Sequence, residues 1–295
     1  MEAEILEKYK KAGKIAGEAL EYGCSLIKPG ARVVDVCDQV EAKIHELGGE
    51  MAFPAQISLN DVAAHFCPEK DDPLEFKQGD MASLDVGVHV DGYIGDTAKT
   101  VDLGNHKELL EASRAALEAT LKLVKPGITL GELGRAIHEA ISAKGFSPIK
   151  NLSGHGLGHF NIHTYPTIPN FDTGDETELE EGMAIAIEPF ATDGQGAIYE
   201  STNPTIFTLV NPKPVRNRMT REILKDVLKY NGLPFCTRWL QKKHSIGKIK
   251  FALKEMNQLE MLKEHPPLPD KAHGLVSQAE HSIIVLDKPI ITTKI

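Results

Sequence analysis

The chain has 295 residues, of which 41% are hydrophobic and 25% are charged, and its net charge is −9. These values are ordinary for a globular protein, and the length allows a large core, as one domain with an insertion or as two. No apolar run is long enough to span a membrane, and the amphipathic N-terminus lacks the pattern of a signal peptide. The four cysteines are scattered, which argues against a disulfide framework or a thiolate metal site and favours the cytoplasm.

The charge is unevenly distributed along the chain. Residues Asn211–Lys263 contain 13 Lys and Arg against 4 Asp and Glu, although the whole chain is acidic. A basic block on an acidic body is typical of a surface that meets a polyanion, and a solvated helical face has the same composition.

Two helices are predicted at the start of the chain. Apolar residues at helical spacing indicate a helix over residues 3–22 and a second from about Val34 to Leu47, which Gly48-Gly49 ends. A strand-and-loop passage over residues 51–66 follows, and it carries Phe53 and His65.

The stretch LDVGVHVDGYIGD, Leu84–Asp96, is predicted to form a hairpin. Its valines alternate with small or polar residues, which indicates a strand, and Asp91-Gly92 favours a tight turn. Asp85 and Asp96 would then lie opposite or diagonal to each other, about 5–8 Å apart. Two carboxylates that close in apolar surroundings repel each other unless a proton or a cation lies between them.

The chain then repeats itself. Residues 19–48 align with residues 116–145 at a constant offset of 97, and Lys28-Pro29-Gly30 falls on Lys125-Pro126-Gly127. We interpret this as two copies of one helix–loop–helix unit, each followed by strands. A pseudo-twofold domain with a cleft between its halves is therefore predicted.

The duplication predicts further carboxylates. The strand 82–87 has its counterpart in 184–189, because each has one carboxylate at the end of an apolar stretch. Asp85 therefore pairs with Glu188, and the second half should supply one more acidic residue. Glu200 and Glu280 are equally good candidates on spacing and strand character. If it is Glu280, residues of about 201–272 interrupt the second hairpin. In that segment Thr220 could cap a helix that ends at Asn231-Gly232, and another helix fits Ile249–Lys263.

Three histidines spaced by four, His155, His159 and His163, lie in NLSGHGLGHFNIH. The glycines make a helix improbable, and the glutamate of a helical zinc motif is missing, so we expect an irregular segment. One imidazole with four carboxylates forms a hard site that suits Mn or Fe, although Zn and Co also bind imidazole. Five ligands are better suited to two ions about 3.5–4 Å apart than to one.

Five blocks together resemble the type II methionine aminopeptidases, in their short, archaeal-like form. These blocks are SLNDVAAHF, SLDVGVHVDGYIGDTAKTV, NLSGHGLGHFNIH, AIAIEPF and QAEHSI. The resemblance implies an α+β, pseudo-twofold pita-bread (creatinase/aminopeptidase) fold. It assigns residues 1–200 and 273–295 to the catalytic domain and residues 201–272 to a small inserted helical subdomain.

The resemblance also implies the site. The two divalent ions (Co, Mn, Fe or Zn) would be held by Asp85, Asp96, His155, Glu188 and Glu280, which decides against Glu200. His65 and His163 would contact the substrate, with His163 donating to the oxyanion and His65 positioning the scissile amide, while Glu188 shuttles a proton. The methionine pocket would be lined by Phe53, Ile162 and Phe190. His159 is not required by the family.

The expected activity is removal of the initiator methionine from nascent peptide N-termini with a small second residue, by a hydroxide that two metal ions activate. The expected protein is a cytoplasmic monomer with no membrane partner, and its basic insertion could contact the ribosome. One alternative is an X-Pro peptidase of the prolidase or aminopeptidase P type, a family whose chains have an additional domain before the catalytic one. The other is a non-catalytic ribosome- or RNA-binding relative.

Overall fold

The computed structural model describes every residue from Met1 to Ile295. The α-helices are α1 Ala3–Leu26, α2 Val33–Glu46, α3 Lys107–Leu121, α4 Leu130–Ser142, α5 Arg218–Val227, α6 Thr237–Leu240 and α7 Ile246–Gln258. The first seven strands are β1 Glu50–Met51, β2 Gln56–Leu59, β3 Met81–Val90, β4 Tyr93–Asp102, β5 Ser147–Pro148, β6 Ser153–Gly158 and β7 Asn161–Pro169. The remaining strands are β8 Ala184–Ile187, β9 Phe190–Thr192, β10 Ile206–Leu209, β11 Phe235–Cys236, β12 Leu262–His265, β13 Val276–Gln278, β14 His281–Ile284 and β15 Ile290–Ile291. No helix combines the length and the apolar character needed to cross a bilayer.

The first half of the molecule packs α1 and α2 against the hairpin β3–β4. Asp91 and Gly92 have φ angles of 50° and 85°, the left-handed pair that a two-residue hairpin turn requires. Asp85 lies opposite Ala98 and Asp96 lies opposite Gly87, so the two aspartates are diagonal neighbours, as predicted. A buried apolar cluster, which includes Val40, Ile44 and Leu84, holds the helices on this sheet.

The second half repeats the arrangement with α3, α4 and the sheet β15-β14-β8-β6-β7. Its own apolar cluster includes Leu133, Ile137 and Ile185. The C-terminal end of α3 matches that of α1, and the whole of α4 matches α2, at the offset of 97 seen in the sequence. The predicted duplication is therefore present in the fold. Strands of the two halves contact each other, since β4 contacts β6 and β14, and β3 contacts β13.

The two halves meet along a seam between β4 and residues 278–282. Thr97 Oγ1 donates to the Glu280 carbonyl at 2.8 Å, and Ser282 Oγ donates to the Asp96 carbonyl at 2.8 Å. The Asp96 amide donates to the same Ser282 hydroxyl, and the Glu280 amide donates to the Ala98 carbonyl at 2.9 Å. The seam therefore fixes the backbone on both sides of two acidic residues.

Residues 206–265 form a small three-stranded sheet, β11-β10-β12, covered by α5, α6 and α7. Its apolar cluster includes Phe235 and Trp239. The buried Arg238 guanidinium joins this unit to α2, since its Nη2 lies 2.6 Å from Glu41 Oε1 and its Nη1 contacts Asp38. Trp239 Nε1 donates to the same Glu41 carboxylate at 2.9 Å.

Three local predictions were wrong, two in this unit and one in the glycine-rich stretch of the second half. Asn217, rather than Thr220, caps α5, because its side chain accepts from the Met219 amide at 2.8 Å. The helix predicted over Ile249–Lys263 ends at Gln258, because Glu260 takes a left-handed conformation and the following residues pair with β10. The glycine-rich stretch is a bulged hairpin, β6–β7, rather than an irregular segment.

Candidate metal centre and substrate pocket

Four acidic side chains and the His155 imidazole line the same cavity at the junction of the two halves. The cavity has a volume of about 210 Å³, and its acidic and imidazole lining residues include Asp85, Asp96, His155, Glu188 and Glu280. Ligand atoms of Asp96, His155 and Glu280 all lie within 4.8 Å of one another. His155 Nε2 is 3.4 Å from Glu188 Oε1 and 3.7 Å from Asp96 Oδ2. The strands β3, β4 and β6 contribute Asp85, Asp96 and His155, while Glu188 directly follows β8 and Glu280 directly precedes β14.

The structure separates the two candidates for the fourth carboxylate. Glu280 is 2% exposed and lines the cavity with Asp85 and Asp96. Glu200 is exposed and lines an adjoining cavity instead. The seam at Ala98 and Ser282 is what brings Glu280 to β4, across 183 residues of sequence between Thr97 and Glu280.

The carboxylates are held in an environment that opposes their ionisation. Burial raises the pKa of Asp85 to about 7. Burial, followed by repulsion from Asp85, raises the pKa of Asp96 and Glu188 well above the usual range. The pKa of Glu280 is raised in the same way, with Asp96 as the strongest neighbouring charge. Unless protons or cations are shared among them, these groups cannot all be ionised at neutral pH.

The polar atoms of the cluster lack protein partners. Asp85 Oδ1, Asp96 Oδ1 and Glu280 Oε2 are buried and accept no hydrogen bond from the protein. Burial lowers the pKa of His155 to about 3, so its imidazole is neutral. Its Nδ1 lies 3.3 Å from the Gly156 carbonyl, and a proton there leaves the Nε2 lone pair facing the carboxylates. Oxygen-rich donors with one neutral imidazole fit a hard or borderline divalent cation.

The rest of the cavity forms an apolar pocket with histidines at its opening. Phe53, Ile162 and Phe190 are buried and all line it. The Phe53 ring rests against β3 at Gly87, where a Cβ would lie 2.1 Å from the ring. His65 and His163 also line the cavity, and the His163 ring lies 4.5 Å from the His155 ring.

The sequence did not reveal every residue of the pocket. Gln56, which pairs with Asp85 in the sheet, and Ile206, Pro234 and His265 from residues 206–265 also line it. A histidine directly before the Pro266-Pro267 pair was the one available signal for His265. His159 lies outside the pocket, where its Nε2 is 2.9 Å from the Asp91 carbonyl and its ring packs on Tyr93.

Comparisons with known proteins agree with this geometry. The family model "Metallopeptidase family M24" matches residues 7–207. Methionine aminopeptidase from Archaeoglobus fulgidus is 47% identical, and the alignment covers 100% of both chains. The structure of methionine aminopeptidase from Thermotoga maritima superposes with a TM-score of 0.73 at 26% identity, covering 100% of this chain and 98% of that one.

The structure of a thermophilic Arx1 gives a TM-score of 0.88 and covers 99% of this chain and 91% of that one, but at 18% identity it supports the fold alone. The predicted pita-bread fold and the prediction of an enzyme are confirmed. The family implies a divalent metal cofactor, and the donor set described above fits one. The chain belongs to metallopeptidase family M24 and, within it, to the archaeal type II methionine aminopeptidases.

Proposed function

We propose that this enzyme removes the N-terminal methionine from nascent polypeptides whose second residue is small, with two divalent ions in the cavity. Asp85, Asp96, His155, Glu188 and Glu280 would hold the ions. The observation that carries the proposal is the group of unpartnered, buried carboxylate oxygens that face a neutral imidazole. Five ligands exceed what one catalytic ion with an open position uses, and they suit a pair.

The pocket supports methionine as the residue that is removed. A cavity of about 210 Å³ with three buried apolar side chains, Phe53, Ile162 and Phe190, has room for one unbranched, apolar side chain. The free α-amino group of an N-terminus would bind where these carboxylates hold the ions, which restricts cleavage to a terminal residue. Together these features favour cleavage after the first residue over cleavage inside a chain.

The bound ions would supply Lewis acidity and lower the pKa of a water molecule toward neutrality. Glu188 would take up the proton of that water and deliver it to the leaving amine. Its raised pKa suits a group that must hold a proton during the reaction. Gln278 Nε2 lies 3.4 Å from Glu188 Oε2 and keeps the carboxylate oriented toward the cavity.

Two histidines would bind the peptide around the bond that is cut. Burial lowers the pKa of His65 to about 4, so the ring is neutral, and its Nδ1 has no partner in the protein. His65 would therefore position the scissile amide, and His163 would donate to the carbonyl oxygen as it gains charge. Loss of one such donor typically lowers kcat by about 10²–10³. We expect this loss for His163→Ala, and a kcat near that of the wild type would remove the role of His163.

The test of the activity compares three peptides and one metal cycle. Met-Ala-Ser should release methionine, Met-Leu-Ser should be cleaved far more slowly, and an X-Pro dipeptide should not be cleaved. Activity should be lost on chelation and return when Co, Mn, Fe or Zn is added singly, with about two ions bound per chain. Full activity in the chelated protein, or faster cleavage of the X-Pro dipeptide, would contradict the proposal.

We also propose that residues 201–272 form a subdomain inserted into the catalytic domain 1–200 and 273–295, and that it docks on ribosomal RNA. Arg221, Lys225, Lys250 and Lys254 are exposed on this segment, and none of the last three has an ion-pair partner. The enzyme would act as a cytoplasmic monomer where chains emerge. Co-sedimentation with ribosomes should weaken steeply as salt is raised, and its absence at low salt would count against docking.

A further inference from the structure

A second cavity, of about 560 Å³, opens beside the first. The two cavities share the wall formed by His65, His155, His163 and His265 and by residues 151–153. The outer cavity continues past Tyr165, whose side chain is 67% exposed. The outer cavity therefore offers a path for the rest of a peptide whose first residue fills the inner pocket.

Lys263 brings a positive charge to the wall of this outer cavity. It lies on β12 two residues before His265, so both side chains emerge on the same face of the strand. Its strand partner is Thr208, whose hydroxyl lies 2.9 Å from His265 Nε2. Lys263 is exposed, whereas His265 is buried.

The charge of Lys263 acts on the histidines at the opening of the pocket. Burial, and after it the positive charge of Lys263, lowers the pKa of His163. Lys263 also contributes, behind burial and the neighbouring histidines, to the lowered pKa of His65 and His265. Lys263 and these three histidines line the same outer cavity.

Lys263 has no acidic partner within the protein. It forms none of the ion pairs or side-chain hydrogen bonds found in the structure. Its neighbour Glu264 accepts a hydrogen bond from Asn257 at 2.9 Å, and Glu200 is the other carboxylate on the outer wall.

We propose that Lys263 is a specificity-determining residue, which favours peptides that carry a carboxylate just beyond their small second residue. The inference rests on the proposed function, because it assumes that the first residue lies in the inner pocket. A lysine ammonium is a flexible point charge and can meet a carboxylate on either of the next residues. An exposed ion pair of this kind corresponds to about a two- to fivefold preference in kcat/KM.

The test uses C-terminally amidated peptides, which differ only at the third residue and carry no terminal carboxylate. Met-Ala-Asp-Ser, Met-Ala-Asn-Ser and Met-Ala-Lys-Ser amides are compared by kcat/KM in the wild type, Lys263→Met and Lys263→Glu. Lys254→Met is the matched control, because Lys254 is an exposed lysine on α7 that lines neither cavity. The Asn peptide reports the basal activity. The kcat/KM of the Asp peptide divided by that of the Asn peptide, the Asp-to-Asn ratio, reports the role of Lys263.

We expect an Asp-to-Asn ratio of about two to five in the wild type and in Lys254→Met, near one in Lys263→Met, and below one in Lys263→Glu. The wild-type ratio should also fall toward one in 1 M salt, where the Debye length is about 3 Å. An unchanged ratio in Lys263→Met would overturn the inference while leaving the proposed function intact. A preference for the Lys peptide that disappears in Glu200→Gln would also overturn it. If the wild type cleaves none of the peptides, the proposed function itself fails.

Discussion

Replacing Asp85 with asparagine should stabilise the protein when no metal is bound. The pKa of Asp85 is about 7 in the folded protein and 3.8 for an unperturbed aspartate. Between these values the folded state binds more protons than the unfolded state, so stability falls as pH rises. The difference of about three pKa units corresponds to about 4 kcal/mol, which is fully present only above pH 7.

Asp85→Asn removes this cost and nearly preserves the shape of the side chain. The full 4 kcal/mol is an upper bound, since the new amide is also left without partners, and we expect a rise in Tm of about 2–6 °C at pH 8. At pH 4.5 the difference in stability should shrink to about 1 kcal/mol. The assay is thermal unfolding followed by circular dichroism in a chelator at both values of pH.

Asp71→Asn is the matched control, because Asp71 is exposed on a loop and its replacement should leave Tm unchanged. Adding a divalent metal should reverse the order at pH 8, since a ligand at 100 times its Kd stabilises the wild type by about 2.7 kcal/mol. A lower Tm for metal-free Asp85→Asn, or an equal difference at pH 8 and pH 4.5, would refute the reasoning.

Two further substitutions test the packing around the site. Gly87→Ala places a Cβ within 2.6 Å of three ring carbons of Phe53, so we expect a loss of about 1–3 kcal/mol in the free energy of unfolding and a raised KM. Adding Phe53→Leu should recover part of the stability but should not restore the KM. An unchanged KM in Gly87→Ala would show that the Phe53 ring does not contact the substrate. Arg238→Met leaves the buried Glu41 carboxylate unpaired and should cost about 3–5 kcal/mol in urea unfolding. The double variant with Glu41→Met should recover most of that loss, and a double variant as unstable as the single one would show that packing matters more than charge.

The sequence predicted best the features whose causes are local. The Asp91-Gly92 turn follows from a steric requirement on two residues, and it determines the register that makes Asp85 and Asp96 diagonal. The repeat at an offset of 97 likewise predicted the matching halves, because each copy carries the same pattern of apolar residues and turns. The pseudo-twofold fold could therefore be predicted before any long-range contact was known.

Features that depend on distant contacts could not be predicted in this way. Spacing could not separate Glu200 from Glu280, because the choice depends on hydrogen bonds from Thr97 and Ser282 across the seam. The end of α7 was misplaced because residues 262–265 have a better partner in β10 than in their own helix. His265 was missed as part of the pocket wall because only the folded strand β12 brings it to His65.

The seam between β4 and residues 278–282 has a consequence for the timing of activity during synthesis. The hydroxyl bridges join residues 178 to 186 positions apart, so the two sides of the seam are synthesised at different times. Each half of the molecule supplies only part of the acidic cluster. Asp85 and Asp96 come from the first half, which is synthesised long before Glu188 and Glu280 of the second half. We therefore expect a chain whose synthesis has not reached Glu280 to be inactive, because it lacks one acidic side chain of the proposed metal site.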